Sequence, residues 1–133
     1  MSFAYPLSGL VTLVSILIYM WMGFSVGGAR ARHKVPAPAM TGPEDFMRVY
    51  RVHYNTLEQM AAFLPSLWLF ALTTQDAWAA AVGLFFPIGR ILYALGYYKA
   101  ADKRSTGFTI SLLSIVVLIF GSLIAIIMQL AGL

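Results

Sequence analysis

The chain has 133 residues, enough for one domain, and 60% of them are hydrophobic against 11% charged, which places it among integral membrane proteins. It holds no cysteine, so disulfides, thiolate metal sites and a cysteine nucleophile are excluded, no metal is expected, and any thiol chemistry must use a thiol that arrives with a substrate. The net charge of +4 comes without a nucleic-acid-binding motif, so membrane topology and an anionic ligand account for it better than a nucleic acid does.

A membrane-spanning helix needs about 20 mostly apolar residues, and four segments, about 6–28, 46–72, 77–98 and 108–130, reach that length. The runs are continuous and lack the period-two alternation of a barrel, so the expected fold is an all-α integral membrane bundle of four helices. The first run has no positive region before it; Arg30, Arg32 and Lys34 follow it instead. It is also too long for the apolar part of a signal peptide, and it reads as a retained helix.

After it comes "RARHKVPAPAMTGPED", residues 30–45, the only linker, with three prolines and a glycine. Within it, Pro43, Glu44 and Asp45 after Thr41 mark the start of the second helix. Pro65 and Pro87 predict kinks in the second and third helices. The connection "TTQDAW" offers only Asp76, whereas Lys99, Lys103 and Arg104 follow the third helix. The positive-inside rule then puts the two basic loops in the cytoplasm and both termini on the other side. Four helices are too few to enclose a large aqueous path alone, and an oligomer is expected.

In the second helix, "RVYRVHYNTLE" (48–58) concentrates polarity in an otherwise apolar chain. At about 100° per residue, Arg48, Arg51, Asn55 and Glu58 share one face within an arc of roughly 80°, and His53 lies off it. Ionisable groups inside a membrane are expensive and face a bundle interior or a wet cavity. One reading is internal glue, with Arg51 against Glu58 or Arg48 and Asn55 bridging helices; four such residues on one face favour a ligand instead.

The third helix carries "GRILYALGYYKAADKR" (89–104), where Arg90, Tyr93 and Tyr97 again share a face. Tyr98 starts a neighbouring face, as a belt anchor at the membrane boundary does. Tyr93 lies a turn deeper, where its hydroxyl needs a partner. Arg90 is deeper still and is expected to pair with an acid of the second helix in a structural role. Taken alone, Arg104 reads as a solvated loop charge. Together the two faces suggest a pocket for a small zwitterionic or anionic ligand: arginine for a carboxylate, Glu58 for an ammonium, Asn55 for a peptide group, tyrosines for hydroxyl contacts. Spacing describes a receptor for a short peptide without naming it.

"RVYRVHYNTLE" followed by "GRILYALGYYKAADKRSTG", with the "AR" turn and the "TGPEDF" start of the second helix, resembles the membrane-associated eicosanoid and glutathione metabolism (MAPEG) family. The likeness is nearest to its microsomal glutathione transferase and leukotriene C synthase branch and covers nearly the whole chain. It implies a homotrimer of four-helix subunits that holds glutathione, as co-substrate, between neighbours near the cytoplasmic side. It further implies that Arg51, Asn55, Glu58, Tyr93 and Tyr97 bind glutathione and that Arg30 and His53 reach the glutathione of a neighbouring subunit. Arg104 matches the arginine that activates the thiol, with Tyr93 as the second catalytic candidate. Two positions depart from the leukotriene synthase, Gln59 for a tyrosine and Ala31 for a second arginine, and "GYYKAADKRSTG" looks more like the broad-range transferases and peroxidases.

Three functions follow as expectations. The first is a glutathione transferase, with or without peroxidase activity, acting on a lipophilic electrophile or lipid hydroperoxide drawn from membrane lipid. The second is a non-catalytic lipid-binding scaffold of the same family, and the third a small channel or transporter subunit. The membrane is the bacterial inner membrane or the endoplasmic reticulum.

Overall fold

The computed structural model describes residues 2–133. Helix α1 spans Pro6–His33, α2 Glu44–Thr73, α3 Asp76–Gly83, α4 Phe85–Lys99 and α5 Ser105–Leu130, with a 3-10 turn, Ala101–Arg104, leading into α5. No strand occurs among the described residues. α1 packs on α2, α2 on α5, and α4 on α5. Three helical stretches, Pro6–His33, Asp76–Lys99 and Ala101–Leu130, are long and apolar enough to cross a membrane. α2 has the length, but Glu44, Asp45, Arg48, Arg51 and Glu58 crowd its first half.

α1 opens with Pro6 in its first turn, where the missing N–H is no loss. The free N–H groups of Leu7 and Ser8 donate to the two carboxylate oxygens of Asp76, at 2.9 and 2.8 Å. An anion there also meets the positive end of the helix dipole. At its other end α1 continues past Gly27 and Gly28 to His33, because neither glycine leaves helical geometry. The sequence-based placement of Arg30 and Arg32 in a loop is thereby corrected: both lie in the last turn of α1, where cations offset the negative end of the dipole. Lys34 closes the helix at φ 53°, a left-handed conformation that costs a non-glycine residue roughly 1–2 kcal/mol. The Val35 N–H returns to the Arg30 carbonyl at 3.1 Å.

Of the two internal prolines, only Pro87 interrupts its helix. α2 passes through Pro65 unbroken, whereas α3 and α4 are halves of one rod separated at Leu84. Pro87 has no N–H to give to the Gly83 carbonyl, and the next bond, Ile88 N–H to the Leu84 carbonyl, is stretched to 3.4 Å. A Ser114 hydroxyl from α5 donates to the Val82 carbonyl beside the break at 2.8 Å, which helps to satisfy irregular backbone inside apolar surroundings.

In lipid, apolar burial drives helix association weakly, and close packing takes over. The main core gathers Met60, Phe63 and Leu67 of α2 with Val11, Ala79, Phe86, Ile115 and Leu118, and Phe63 stacks on Phe86 at 3.9 Å. A smaller cluster of Met22, Val52, Tyr93 and Ala94 lies nearer the basic end. Glycines set the approach of α4 to α5: a Cβ on Gly89 would lie 2.6 Å from the Ser111 backbone nitrogen, and one on Gly107 would overlap the backbone of Tyr93. That contact brings the start of α5 against the tyrosine face of α4.

Candidate functional site

The polar face of α2 and the tyrosine face of α4 meet at the basic end of the bundle. Between them and the start of α5 is a cavity of about 490 Å³ lined by Arg51, Asn55, Tyr93, Tyr97, Arg104, Ser105, Phe108 and Thr109. A second cavity of about 550 Å³ shares Arg51 and Tyr97 with it and is otherwise lined by Met40, Glu44, Met47, Arg48, Tyr50 and Ala101. None of the residues lining the first cavity is acidic while two are arginines, so it attracts an anion.

Arg104 closes the 3-10 turn and is exposed. Its Nη1 donates to the Ala101 carbonyl at 2.7 Å, and its guanidinium carbon lies 5.3 Å from the Tyr97 ring centre. Those contacts hold the side chain along the cavity wall and leave most of its five N–H donors free for a ligand. Tyr93 and Tyr97 meet edge to face at 5.5 Å, one turn apart on α4. Arg51 is 3.8 Å from Glu58, with both side chains about half exposed at 48% and 47%. An exposed pair at that distance contributes about 0–1 kcal/mol, so either partner is available to a ligand at small loss.

Arg90 corrects the sequence-based expectation of an acidic partner. It is fully buried, and both Nη1 and Nη2 donate to Asn55 Oδ1 at 3.2 Å. Glu58 lies one turn beyond Asn55, exposed beside Arg51, and so does not reach it. Arg48 is held locally by Asp45, and by Glu44 at 3.9 Å.

Three of the sequence-derived candidates do not line the first cavity. Glu58 stands beside Arg51 outside it. Arg30 is tied into its own turn, donating to the carbonyls of Val35 at 3.3 Å and Ala39 at 2.7 Å, with its guanidinium 5.1 Å over Phe46. His53 faces α1 instead, stacked on Tyr19 at 4.6 Å, with Nε2 beside Gly23. Tyr98, for which the sequence suggests a boundary anchor, packs edge-on to Trp21 at 6.1 Å with its hydroxyl buried.

Ser105, Phe108 and Thr109 also line the cavity, a contribution the sequence reading missed because it began the last helix at 108. The available signal is helical spacing: with α5 starting at Ser105, Thr109 falls one turn on, and Phe108 one turn beyond Arg104. Among the described residues no group of three or more His, Asp or Glu is placed to hold a metal.

Comparison with known proteins shows the family to which the chain belongs. The family model described as MAPEG family matches residues 8–124. An uncharacterized protein of Synechocystis is 50% identical over 121 residues, covering 91% of this chain and 88% of its own. Microsomal glutathione S-transferase 2 of Mus musculus is 39% identical over 102 residues, 77% of this chain and 69% of that protein. Leukotriene C4 synthase of Cavia porcellus is 36% identical over 94 residues, 71% of this chain and 63% of that protein. The extent of these matches, on a chain with three helices apolar enough to cross a bilayer, shows that this is a membrane protein belonging to the MAPEG family.

Proposed function

We propose that the protein is a membrane glutathione transferase that ionises the glutathione thiol and conjugates it to lipophilic electrophiles. The observation that carries this reading is the single cavity joining Arg51, Asn55, Tyr93, Tyr97 and Arg104, in a chain similar to a glutathione S-transferase and a leukotriene C4 synthase. Arg51 takes a carboxylate of the tripeptide, Glu58 its ammonium and Asn55 a peptide group. Tyr93 and Tyr97 supply hydroxyl contacts, and Arg104 lies at the sulfur. In a homotrimer, Arg30 and His53, which lie outside the cavity, serve the ligand of a neighbouring subunit.

A free thiol has a pKa of about 8.5, so little of it is ionised at neutral pH. A guanidinium beside the sulfur favours the thiolate, and the released proton goes to solvent. The sulfur then attacks the electrophilic carbon of a co-substrate that reaches the site from the bilayer. A sulfur–carbon bond forms as the leaving group departs with its electron pair. In a peroxidase reaction the same thiolate attacks the terminal oxygen of a lipid hydroperoxide. The lipid oxygen leaves with the electron pair of the broken oxygen–oxygen bond and takes up a proton to become an alcohol. A second glutathione then attacks the sulfenic sulfur, giving glutathione disulfide and water. With the positive-inside rule, this chemistry lies on the cytoplasmic face of a bacterial inner membrane or the endoplasmic reticulum.

The test is glutathione-dependent thermal stabilisation of the detergent-solubilised protein, together with turnover of a chlorinated nitroaromatic beside a lipid hydroperoxide. Stabilisation with turnover of either substrate is the expected result. Lipid binding without any effect of glutathione would mean a scaffold, and the proposal would fall. Native mass spectrometry checks the assembly, and a species that is only monomeric removes the trimer.

A further inference from the structure

Arg90 is 0% exposed and is the largest fully buried side chain of the bundle. Buried charge inside a membrane protein is expensive and marks function, yet Arg90 does not line the cavity. It touches two residues that do, from behind. Its Nη1 and Nη2 both donate to Asn55 Oδ1 at 3.2 Å, and its guanidinium carbon lies 3.9 Å from the centre of the Tyr93 ring.

The chemistry of the pair fixes the amide. A guanidinium has only N–H donors, so the atom it meets must be the amide oxygen, whose two lone pairs are then both engaged. What remains of Asn55 for the cavity is its NH₂ group. The partner is also neutral: an acid at this position would cancel the charge of Arg90, whereas asparagine leaves it to act on the cavity through a low-dielectric wall.

We propose that Arg90 is a positioning residue that clamps Asn55 as a donor-only contact, so that the ligand must present an acceptor, such as a peptide carbonyl, at that point of the cavity. This rests on the glutathione reading for the ligand, while the clamp itself is a property of the protein alone.

Asn55 is the only asparagine in the chain, so labelling asparagine with ¹⁵N gives one side-chain amide signal in the full-length protein in detergent. Without ligand, that amide should show a high order parameter, which falls in Arg90→Lys because an ammonium does not span the oxygen and the Tyr93 ring together. An amide that is already mobile in the parent overturns the clamp without recourse to any variant. Asn55→Asp is the complementary change, since it keeps an acceptor for Arg90 but removes the NH₂ donor. Its unfolding midpoint should equal or exceed the parent's, while glutathione affinity falls on the order of tenfold or more. Unchanged affinity in Asn55→Asp would overturn the donor assignment. An ordered, Arg90-dependent amide in a protein that binds no glutathione would refute the proposed function and leave the clamp standing; a mobile amide with normal glutathione binding would do the reverse.

Discussion

At one end of the bundle, both carboxylate oxygens of Asp76 accept from backbone N–H groups of α1 at 2.9 and 2.8 Å, joining residues 69 and 68 positions apart. At the other end, Arg104 makes one hydrogen bond, to a carbonyl three residues away, and Arg51 stands 3.8 Å from a half-exposed Glu58. The first charge has its hydrogen-bonding needs met within its own chain. The others keep most of their donors unengaged along a cavity that holds no acid among its lining residues. A charge completed within the fold serves the fold, whereas a charge left open beside a concave surface is available to a ligand.

The comparison is sharpest at Arg104. Arg104→Ala should leave much of glutathione binding intact but lower the rate at neutral pH by about 10²–10³, with partial recovery as pH rises and solvent ionises the thiol. Ultraviolet thiolate absorbance on mixing with glutathione, followed across pH beside turnover, reads both quantities. A variant with the parent's thiolate signal and pH profile would make Arg104 a topology charge and move the role to Tyr93. Arg104→Lys should rescue incompletely, because an ammonium keeps the charge without the planar fork.

Glu58→Gln should come next, weakening glutathione by about 10–100-fold in calorimetric titration, as expected when a charged contact loses one partner. Its thermal midpoint should hardly move, since an exposed pair with Arg51 contributes little. The opposite pattern, normal binding with easier unfolding, would assign Glu58 to internal glue.

A smaller effect is expected at His53. His53→Phe preserves the stack on Tyr19 while removing both ring nitrogens, so folding should be unaffected. Glutathione affinity should fall about tenfold or less, the loss of one hydrogen bond, if the ring serves a neighbouring subunit. Equal affinity would leave His53 as packing on α1.

At the far end the expected functional effect is nil. Asp76→Asn should lower the unfolding midpoint, because the charge facing the start of α1 is lost, and should leave the glutathione-dependent rate and affinity as they were. A changed rate would couple the two ends and break the contrast drawn between them.

Much of this arrangement is legible in the chain. Within one helix the angle between residues is set by backbone geometry, so the shared faces of Arg51 and Asn55, and of Tyr93 and Tyr97, follow from spacing alone, as does the departure of His53 from the first. The length and apolarity of the runs made a helical membrane protein the expected class, and the paired motifs carried the family. Partnerships across helices are a different matter, because they depend on how far each rod is rotated and slid against the next. Gly89 and Gly107 allow the contact that puts the start of α5 against Tyr93, and the rod breaks at Leu84, where Pro87 leaves the Gly83 carbonyl without an N–H. The packing of the rods decides that Arg90 meets Asn55 and not Glu58, that Ser105 and Thr109 join the cavity, and that Asp76 caps a helix 68 residues before it. Spacing along a helix is a local property of the chain, whereas the choice of partner is settled only when the backbones come within a side chain's reach.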